Sequence, residues 1–249
     1  MKLLVIIPAY NEAASLMGVI ERLISFCPYY DYIIVNDGST DATKELCEEK
    51  GYNVINHPVN KGLASAVRTG MKYALENGYD AALQFDADGQ HLPEYIEGML
   101  KVMEETDCDV VIASRFYDEK MPFRLRTVGG KMISAAIKIT EDKILTDPTS
   151  GMRLFKRNII HAFVKNEFLT PEPDTIAFLI RMGADVREIQ VKMEERKHGQ
   201  SYLSPVNATK YMIRVLLSIL LFQKKWDIVD INEEEEKNKM PAENLGGNI

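Results

Sequence analysis

The chain has 249 residues, 46% hydrophobic and 27% charged, which suits one large α/β domain or two small ones with a sizeable core. Residues 227–249 hold seven acids against two lysines and carry −5 of the net charge of −7, so residues 1–226 are near neutral and offer no broad basic surface for a nucleic acid. Cys27, Cys47 and Cys108 are far apart with no C-x-x-C pair, which excludes a disulfide framework and a cysteine zinc site and points to a reducing compartment.

In chain order, residues 3–7 are a short continuous apolar run. It is too short for a signal peptide and reads as a parallel strand buried on both faces. Leu16, Val19, Ile20, Leu23 and Ile24 then recur at helical spacing. Residues 31–36 (DYIIVN) read as a second strand, and residues 40–50 as a short helix stopped by Gly51. A short strand over 53–56 precedes a helix over 62–77 with Leu63, Ala66, Val67, Gly70, Met71, Ala74 and Leu75 on one face. Residues 81–85 form a further strand, Pro93 opens a helix running to about residue 104, and residues 109–113 (DVVIA) form another strand. This β-α alternation predicts a mainly parallel sheet with helices on both faces. After Ser114 the pattern loosens: a helix-like run reaches about residue 139, another helix covers 174–182, and a strand covers 185–193.

The chemistry sits at strand ends. Asp86 and Asp88, in QFDADGQHLPE, follow the strand over 81–85, and ligands of open α/β sheets bind beyond the carboxyl ends of strands. If the chain stays extended there, residues i and i+2 share a face, and two carboxylates side by side call for a cation. Hard oxygen ligands suit Mg²⁺ or Mn²⁺, with a substrate diphosphate completing the set. The alternative for each aspartate is a helix cap or a solvated side chain. A calcium loop fails, because His91 stands where glycine is needed. PAYNE after the first strand and NDGST after the second lie where a nucleotide would, with Asn36 and Asp37 able to bond a base and Glu12 a ribose; Asn11 and Asp41 equally suit helix caps.

PAYNE, VNDGSTDAT, NKGLASAVRTG, FDADGQHLPE, ASRF and DPTSGMRLFKR occur in one order over roughly residues 2–200. Together they resemble family 2 glycosyltransferases of the GT-A fold, and within them the dolichol-phosphate mannose synthase-like group, which loads a sugar onto a polyprenyl phosphate. The resemblance implies that Pro8, Tyr10, Glu12, Asp37 and Asp86 contact the nucleotide. It implies that Asp86, Asp88 and Gln90 meet the metal and diphosphate, and that the anomeric carbon inverts.

The acceptor is read from charge. A hydroxyl needs a base, for which Asp147 and Asp174 are the candidates, whereas a phosphate monoester is largely dianionic at about pH 7 and needs cations instead. Arg115, Arg124, Arg126, Lys131, Arg153, Arg196 and Lys197 follow the aspartates. The resemblance places Arg115, in the SRF motif, at the lipid phosphate together with Arg126, Lys131, Arg196 and Ser201, although Tyr202 replaces the lysine expected beside Ser201. Residues 206–222 have an apolar core far too short to span a bilayer, flanked by Lys210, Arg214, Lys224, Lys225 and Trp226.

The expected organisation is a GT-A domain over 1–203, an amphipathic helix over 204–226 that binds a membrane surface or a small membrane partner, and a disordered acidic tail over 227–249. The expected activity is metal-dependent transfer from a nucleotide sugar, UDP-glucose or UDP-N-acetylglucosamine ahead of GDP-mannose, to a polyprenyl phosphate on the cytoplasmic face of the cell membrane. The alternatives are a saccharide hydroxyl acceptor in surface polysaccharide synthesis, or a catalytically silent nucleotide-binding subunit, against which the intact aspartate pair argues.

Overall fold

The first strand, β1 (Leu3–Ala9), is buried along its whole length. In the computed structural model, which describes residues 1–119, 125–195 and 205–222, its side chains alternate between two cores. Leu4 and Ile6 enter one, while Leu3, Val5 and Ile7 enter the other. That is why LLVII is apolar without interruption: neither face of the strand meets water.

Around β1 lie β2 (Asp31–Asn36), β3 (Val54–Asn56), β4 (Ala81–Gln84), β5 (Val110–Ser114), β6 (Arg153–Lys156) and β7 (Val186–Gln190), in the order β3-β2-β1-β4-β6-β5-β7. All neighbours are parallel except β6, which runs antiparallel to both β4 and β5. One face is covered by α1 (Ala13–Phe26), α2 (Thr43–Lys50) and α4 (Ile96–Thr106), the last entered through a 3₁₀ turn at Pro93–Tyr95. The other face carries α3 (Leu63–Glu76), α5 (Leu125–Glu141), α6 (Arg157–Lys165), α7 (Pro173–Arg181) and α8 (Pro205–Leu217), the last continuing as a π-helical turn over Ser218–Phe222. Gly70 of α3 lies against the Ile6 side chain with no room for a Cβ, so α3 packs directly on β1.

Two features of this topology place the site. The chain builds β1, β2 and β3 outward in one direction and then returns to lay β4 on the other side of β1, which makes the β1/β4 boundary the switch point where a ligand crevice opens. β1 pairs with β4 only from Leu3 to Ile6 but with β2 as far as Ala9, so the two central strands part beyond Ile6. Being antiparallel, β6 begins where β4 and β5 end: Arg153 pairs with Gln84 on one side and Ile112 on the other. The loop entering β6 therefore lies at the same sheet edge as the loops leaving β1, β2, β4, β5 and β7.

Three expectations change. β6 and α6 are absent from the sequence reading, because RLFKRN carries three cations and an amide and shows no apolar alternation. β4 ends at Gln84, and Asp88 lies in a turn, so the two aspartates do not share a strand face by alternation. The C-terminal helix is not a separate unit. Its Val215 and its continuation's Ile219 are 0% and 1% exposed in the same core as α3, α5, α6 and α7. The acidic tail over 227–249 lies outside the described residues.

Candidate active site

The loops after β1 and β2 are tied to one another. Asn11 adopts a left-handed backbone (φ 56°), a conformation asparagine tolerates better than most residues. Its Oδ1 accepts the Thr40 N–H at 2.8 Å, and its own N–H donates to Ser39 Oγ at 3.0 Å. Pro8 is buried in β1, and Tyr10 is partly buried just beyond it. The Glu12 carboxylate accepts the Ser15 hydroxyl at 2.8 Å at the start of α1. Asp37 is 3% exposed and accepts three donors: the Lys61 N–H at 3.0 Å, the Gly62 N–H at 2.7 Å and His57 Nδ1 at 2.7 Å. His57 Nε2 in turn lies 2.9 Å from Thr69 Oγ1 on α3. Asp37 thus anchors the NKG loop and shapes the crevice wall from behind. Gly38 (φ 66°) permits this, since any Cβ there would collide with the Val59 backbone.

At the crevice centre, Asp86 is fixed from three directions. The Gln84 amide donates to its Oδ1 at 3.4 Å, and its own N–H donates to His91 Nδ1 at 3.0 Å. His91 Nε2 lies 3.6 Å from Asp86 Oδ2. His91 is buried edge-on to Phe85, and its acceptor Nδ1 puts the ring proton on Nε2, toward the carboxylate. Gly151 presses on the same carboxylate, since a Cβ there would fall 2.6 Å from Asp86 Oδ2. The Asp88 carboxylate accepts the Gln90 N–H at 3.0 Å, closing a tight turn. The Gln90 side-chain amide donates to the Glu194 carbonyl at 3.3 Å, and the Glu194 N–H returns to the Gln90 carbonyl at 3.0 Å. Gln90 therefore stitches the aspartate loop to the segment after β7. Arg22 reinforces that seam by pairing with both Glu94 and Glu194.

Among the described residues no three His, Cys, Asp or Glu side chains close a metal cage. Asp86 keeps 34% of its side chain exposed. Two hard carboxylates with an open side fit a cation that retains water and takes phosphate oxygens, as Mg²⁺ and Mn²⁺ do.

The third cluster follows β5. Arg115 is gripped by Asp147, through Nε to Oδ2 at 2.6 Å and Nη2 to Oδ1 at 2.8 Å, and Asp147 also accepts the Arg115 backbone N–H at 3.1 Å. Asp147 is 1% exposed, while 38% of the Arg115 side chain reaches solvent. The Asp147 side-chain bond holds the guanidinium's pKa above its ordinary value. Behind this pair, Glu188 of β7 accepts the N–H groups of Thr146 at 2.7 Å and Asp147 at 2.9 Å, and the Thr146 hydroxyl at 3.0 Å. Burial pushes the Glu188 carboxyl above its ordinary range.

Arg153 lies beneath the same loop, 2% exposed. It donates to the carbonyls of Ser150 at 2.8 Å, Pro148 at 2.8 Å and Glu172 at 3.3 Å, and burial lowers its pKa. It belongs to the loop's support, not to a phosphate-binding surface, because β6 points it into the protein. Asp147 is likewise unsuited to be a general base, since Arg115 holds both of its oxygens. Lys131 is exposed on α5. The Arg126 side chain, and Arg196 and Ser201 altogether, lie outside the described residues. His91, His57, Asp147 as a clamp and Glu188 were not anticipated as site residues. Of these, His91 carried a signal, five residues after Asp86 in the same loop.

The sequence profile of glycosyl transferase family 2 matches residues 4–163. An undecaprenyl-phosphate mannosyltransferase of Micrococcus luteus is 29% identical over 226 residues, covering 82% of this chain and 88% of its own. A UDP-N-acetylglucosamine–dolichyl-phosphate N-acetylglucosaminyltransferase of Methanococcus voltae is 35% identical over 176 residues, covering 62% of this chain and 69% of its own. The crystal structure of glucosyl-3-phosphoglycerate synthase from Mycobacterium tuberculosis with Mn²⁺, UDP-glucose and phosphoglyceric acid superposes with a TM-score of 0.63 at 17% identity, over 91% of this chain and 81% of that one. That likeness is one of fold, the GT-A arrangement. The profile spans most of the described sheet, and with the ordered loops at its carboxyl edge it shows that the chain belongs to glycosyl transferase family 2.

Proposed function

We propose that the protein transfers a sugar from a nucleotide sugar, UDP-glucose or UDP-N-acetylglucosamine, to a polyprenyl phosphate, with inversion and with the help of a divalent cation. One observation carries the acceptor reading. A partly exposed guanidinium, Arg115, is held bidentately by a buried carboxylate at the same sheet edge as Asp86 and Asp88. A fixed cation suits an anionic nucleophile, since a dianionic phosphate needs charge to approach a diphosphate and needs no base. The names of the Micrococcus and Methanococcus relatives, both acting on polyprenyl-type phosphates, agree with this.

In the proposed reaction a phosphate oxygen attacks the anomeric carbon from the face opposite the diphosphate. The bond from that carbon to the donor's phosphate oxygen breaks, and the nucleoside diphosphate leaves with the electron pair. Asp86 and Asp88 would hold Mg²⁺ or Mn²⁺, which neutralises charge on the leaving diphosphate. The loops after β1 and β2, with Pro8, Tyr10, Glu12 and the wall that Asp37 supports, would seat the nucleoside. Arg115 would orient the incoming phosphate, with Lys131, Arg126, Arg196 and Ser201 as further contacts.

A lipid acceptor also suits the surface near α8. Ile213, Leu217, Leu220 and Leu221 are exposed on α8 and its continuation, and Met132 and Ile139 on α5, which packs against it. No helix among the described residues is long and apolar enough to cross a membrane. We infer peripheral attachment at the cytoplasmic face, directly or through a membrane partner, and that apolar surface supports attachment.

A saccharide hydroxyl acceptor is the second reading. Its base would be Asp174, which lines a cavity of about 440 Å³ together with Phe168, Thr170, Glu172, Arg214, Leu217 and Ser218. A panel of UDP- and GDP-sugars offered with a short-chain polyprenyl phosphate, free polyprenol or oligosaccharides separates the two. Turnover with the phosphate alone is expected, and turnover only with oligosaccharides would overturn the proposal.

A further inference from the structure

We propose that Glu188 is a positioning residue that sets Arg115 for the incoming acceptor through the loop entering β6; this rests on the acceptor reading above. Glu188 stands opposite Ile112 of β5, two pairs before the end of the register at Ser114. From there one carboxylate gathers the N–H groups of two consecutive residues, Thr146 and Asp147, and the Thr146 hydroxyl. Thr146 Oγ1 also lies 2.6 Å from Ser114 Oγ, next to Arg115 in the chain. With its backbone so fixed, Asp147 directs both carboxylate oxygens at the Arg115 guanidinium.

The opposite side of the loop is gripped by an opposite charge. Arg153 takes the carbonyls of Pro148 and Ser150 while Glu188 takes the amides of residues 146 and 147. Two ionisable side chains from β6 and β7, the strands on either side of β5, thus hold residues 146–150 of the loop entering β6 by its two kinds of backbone group. Asp147 is 1% exposed and has little freedom to seek water, so a rotation of its backbone moves the guanidinium with it. The links through Glu188, Asp147 and Arg153 are hydrogen bonds to charged groups, the stronger kind, and only the Thr146–Ser114 contact joins two hydroxyls.

A double-mutant cycle tests this in the full chain, with Glu188→Gln, Arg115→Lys and both together, read as steady-state kinetics with donor and acceptor varied in turn. Glu188→Gln keeps the shape but puts an amide N–H₂ among N–H donors. It is expected to raise the acceptor KM about tenfold while the donor KM changes less than about twofold, and to have no further effect in the Arg115→Lys background. Equal effects in both backgrounds, or a rise in donor KM alone, would overturn the proposal and leave Glu188 a support of the fold. If Glu188→Gln does not fold, Thr146→Val removes the hydroxyl contacts to Glu188 and Ser114 but keeps the N–H bonds to Glu188, and is expected to show a smaller acceptor effect with the same non-additivity; additivity there would overturn the proposal too. Should wild type use an oligosaccharide instead of the lipid phosphate, the acceptor reading fails, and the same cycle on that acceptor still decides whether Glu188 acts through Arg115.

Discussion

The two halves of the sheet edge are built differently. On the β1/β2 side, uncharged or acidic side chains of one loop accept backbone N–H groups of another: Asn11 from Thr40, and Asp37 from Lys61 and Gly62. On the β5/β6/β7 side, charged side chains are linked in series: Arg115 to Asp147, Glu188 to the Thr146 and Asp147 N–H groups, and Arg153 to the carbonyls of Pro148, Ser150 and Glu172. The first half is a wall whose polar groups mostly satisfy one another. The second is a suspended platform on which the partly exposed Arg115 depends on a carboxylate that water barely reaches. Electrostatic complementarity to a nucleotide can be preformed locally, whereas presenting a cation to an anionic acceptor needs a buried counter-charge to hold it in place.

The sharpest way to break the comparison is at the junction of the halves. Asp88→Asn is expected to lower kcat about 10³-fold, corresponding to about 4 kcal/mol of lost charge neutralisation on the leaving diphosphate, with the fold intact by circular dichroism. Excess EDTA should do the same to wild type. Full activity in either experiment would remove the cation from the mechanism and leave the aspartate loop as a structural turn.

Arg115→Ala comes next and acts on the platform alone. It strips the counter-charge from a carboxylate that is 1% exposed, an arrangement that costs about 3 kcal/mol in comparable buried pairs. Lower thermal stability and an acceptor KM raised about 10²-fold are expected together, with the donor KM nearly unchanged. A rise confined to the donor KM would place Arg115 at the diphosphate and merge the two halves.

This difference also explains what could be read from the sequence. Strands β1, β2, β4 and β5 and helices α1, α3 and α4 announce themselves by apolar runs and helical spacing, and the nucleotide-side loops by ordered motifs. The platform does not. β6 is four residues, RLFK, with Arg153 directed inward, so its composition contradicts its burial. Glu188 in VREIQ and Asp147 in DPTSG are 41 residues apart, and only the antiparallel insertion of β6 brings them together. Asp37 was legible as a nucleotide-side residue, but its bonds from Lys61, Gly62 and His57, which tie it to the NKG loop, were not. The C-terminal helix misled by its flanking lysines, while its buried stripe is as short as Val215 and Ile219.

Gly151→Ala tests the seam more gently. The added methyl would lie 2.6 Å from Asp86 Oδ2, so either the carboxylate or the loop must yield. Overpacking of this kind costs about 1–3 kcal/mol, and about a tenfold loss in kcat/KM for the donor is expected, with weaker binding of Mn²⁺ by titration. If the acceptor KM rises instead, the loop has given way toward Arg115 and the platform is the softer half.

The smallest effect concerns pH and the Glu188 carboxylate. Burial raises its folded-state pKa above the ordinary glutamate value, 4.5, while the N–H groups of Thr146 and Asp147 work against that rise. Below the ordinary value the group is protonated in both states and contributes no pH dependence. As pH climbs from there toward the folded-state value, the unfolded chain loses its proton first, so the folded state binds more protons and stability falls with pH. Above the folded-state value the loss is complete and constant. The wild type's thermal midpoint, measured relative to that of Glu188→Gln, should therefore decline across this window and level off, with a slope no steeper than one proton allows. A difference that grows in favour of wild type as pH rises would mean that the amide donors outweigh burial. Glu188 would then stabilise the platform as an anion by itself, and the loop would not need the opposing grip of Arg153.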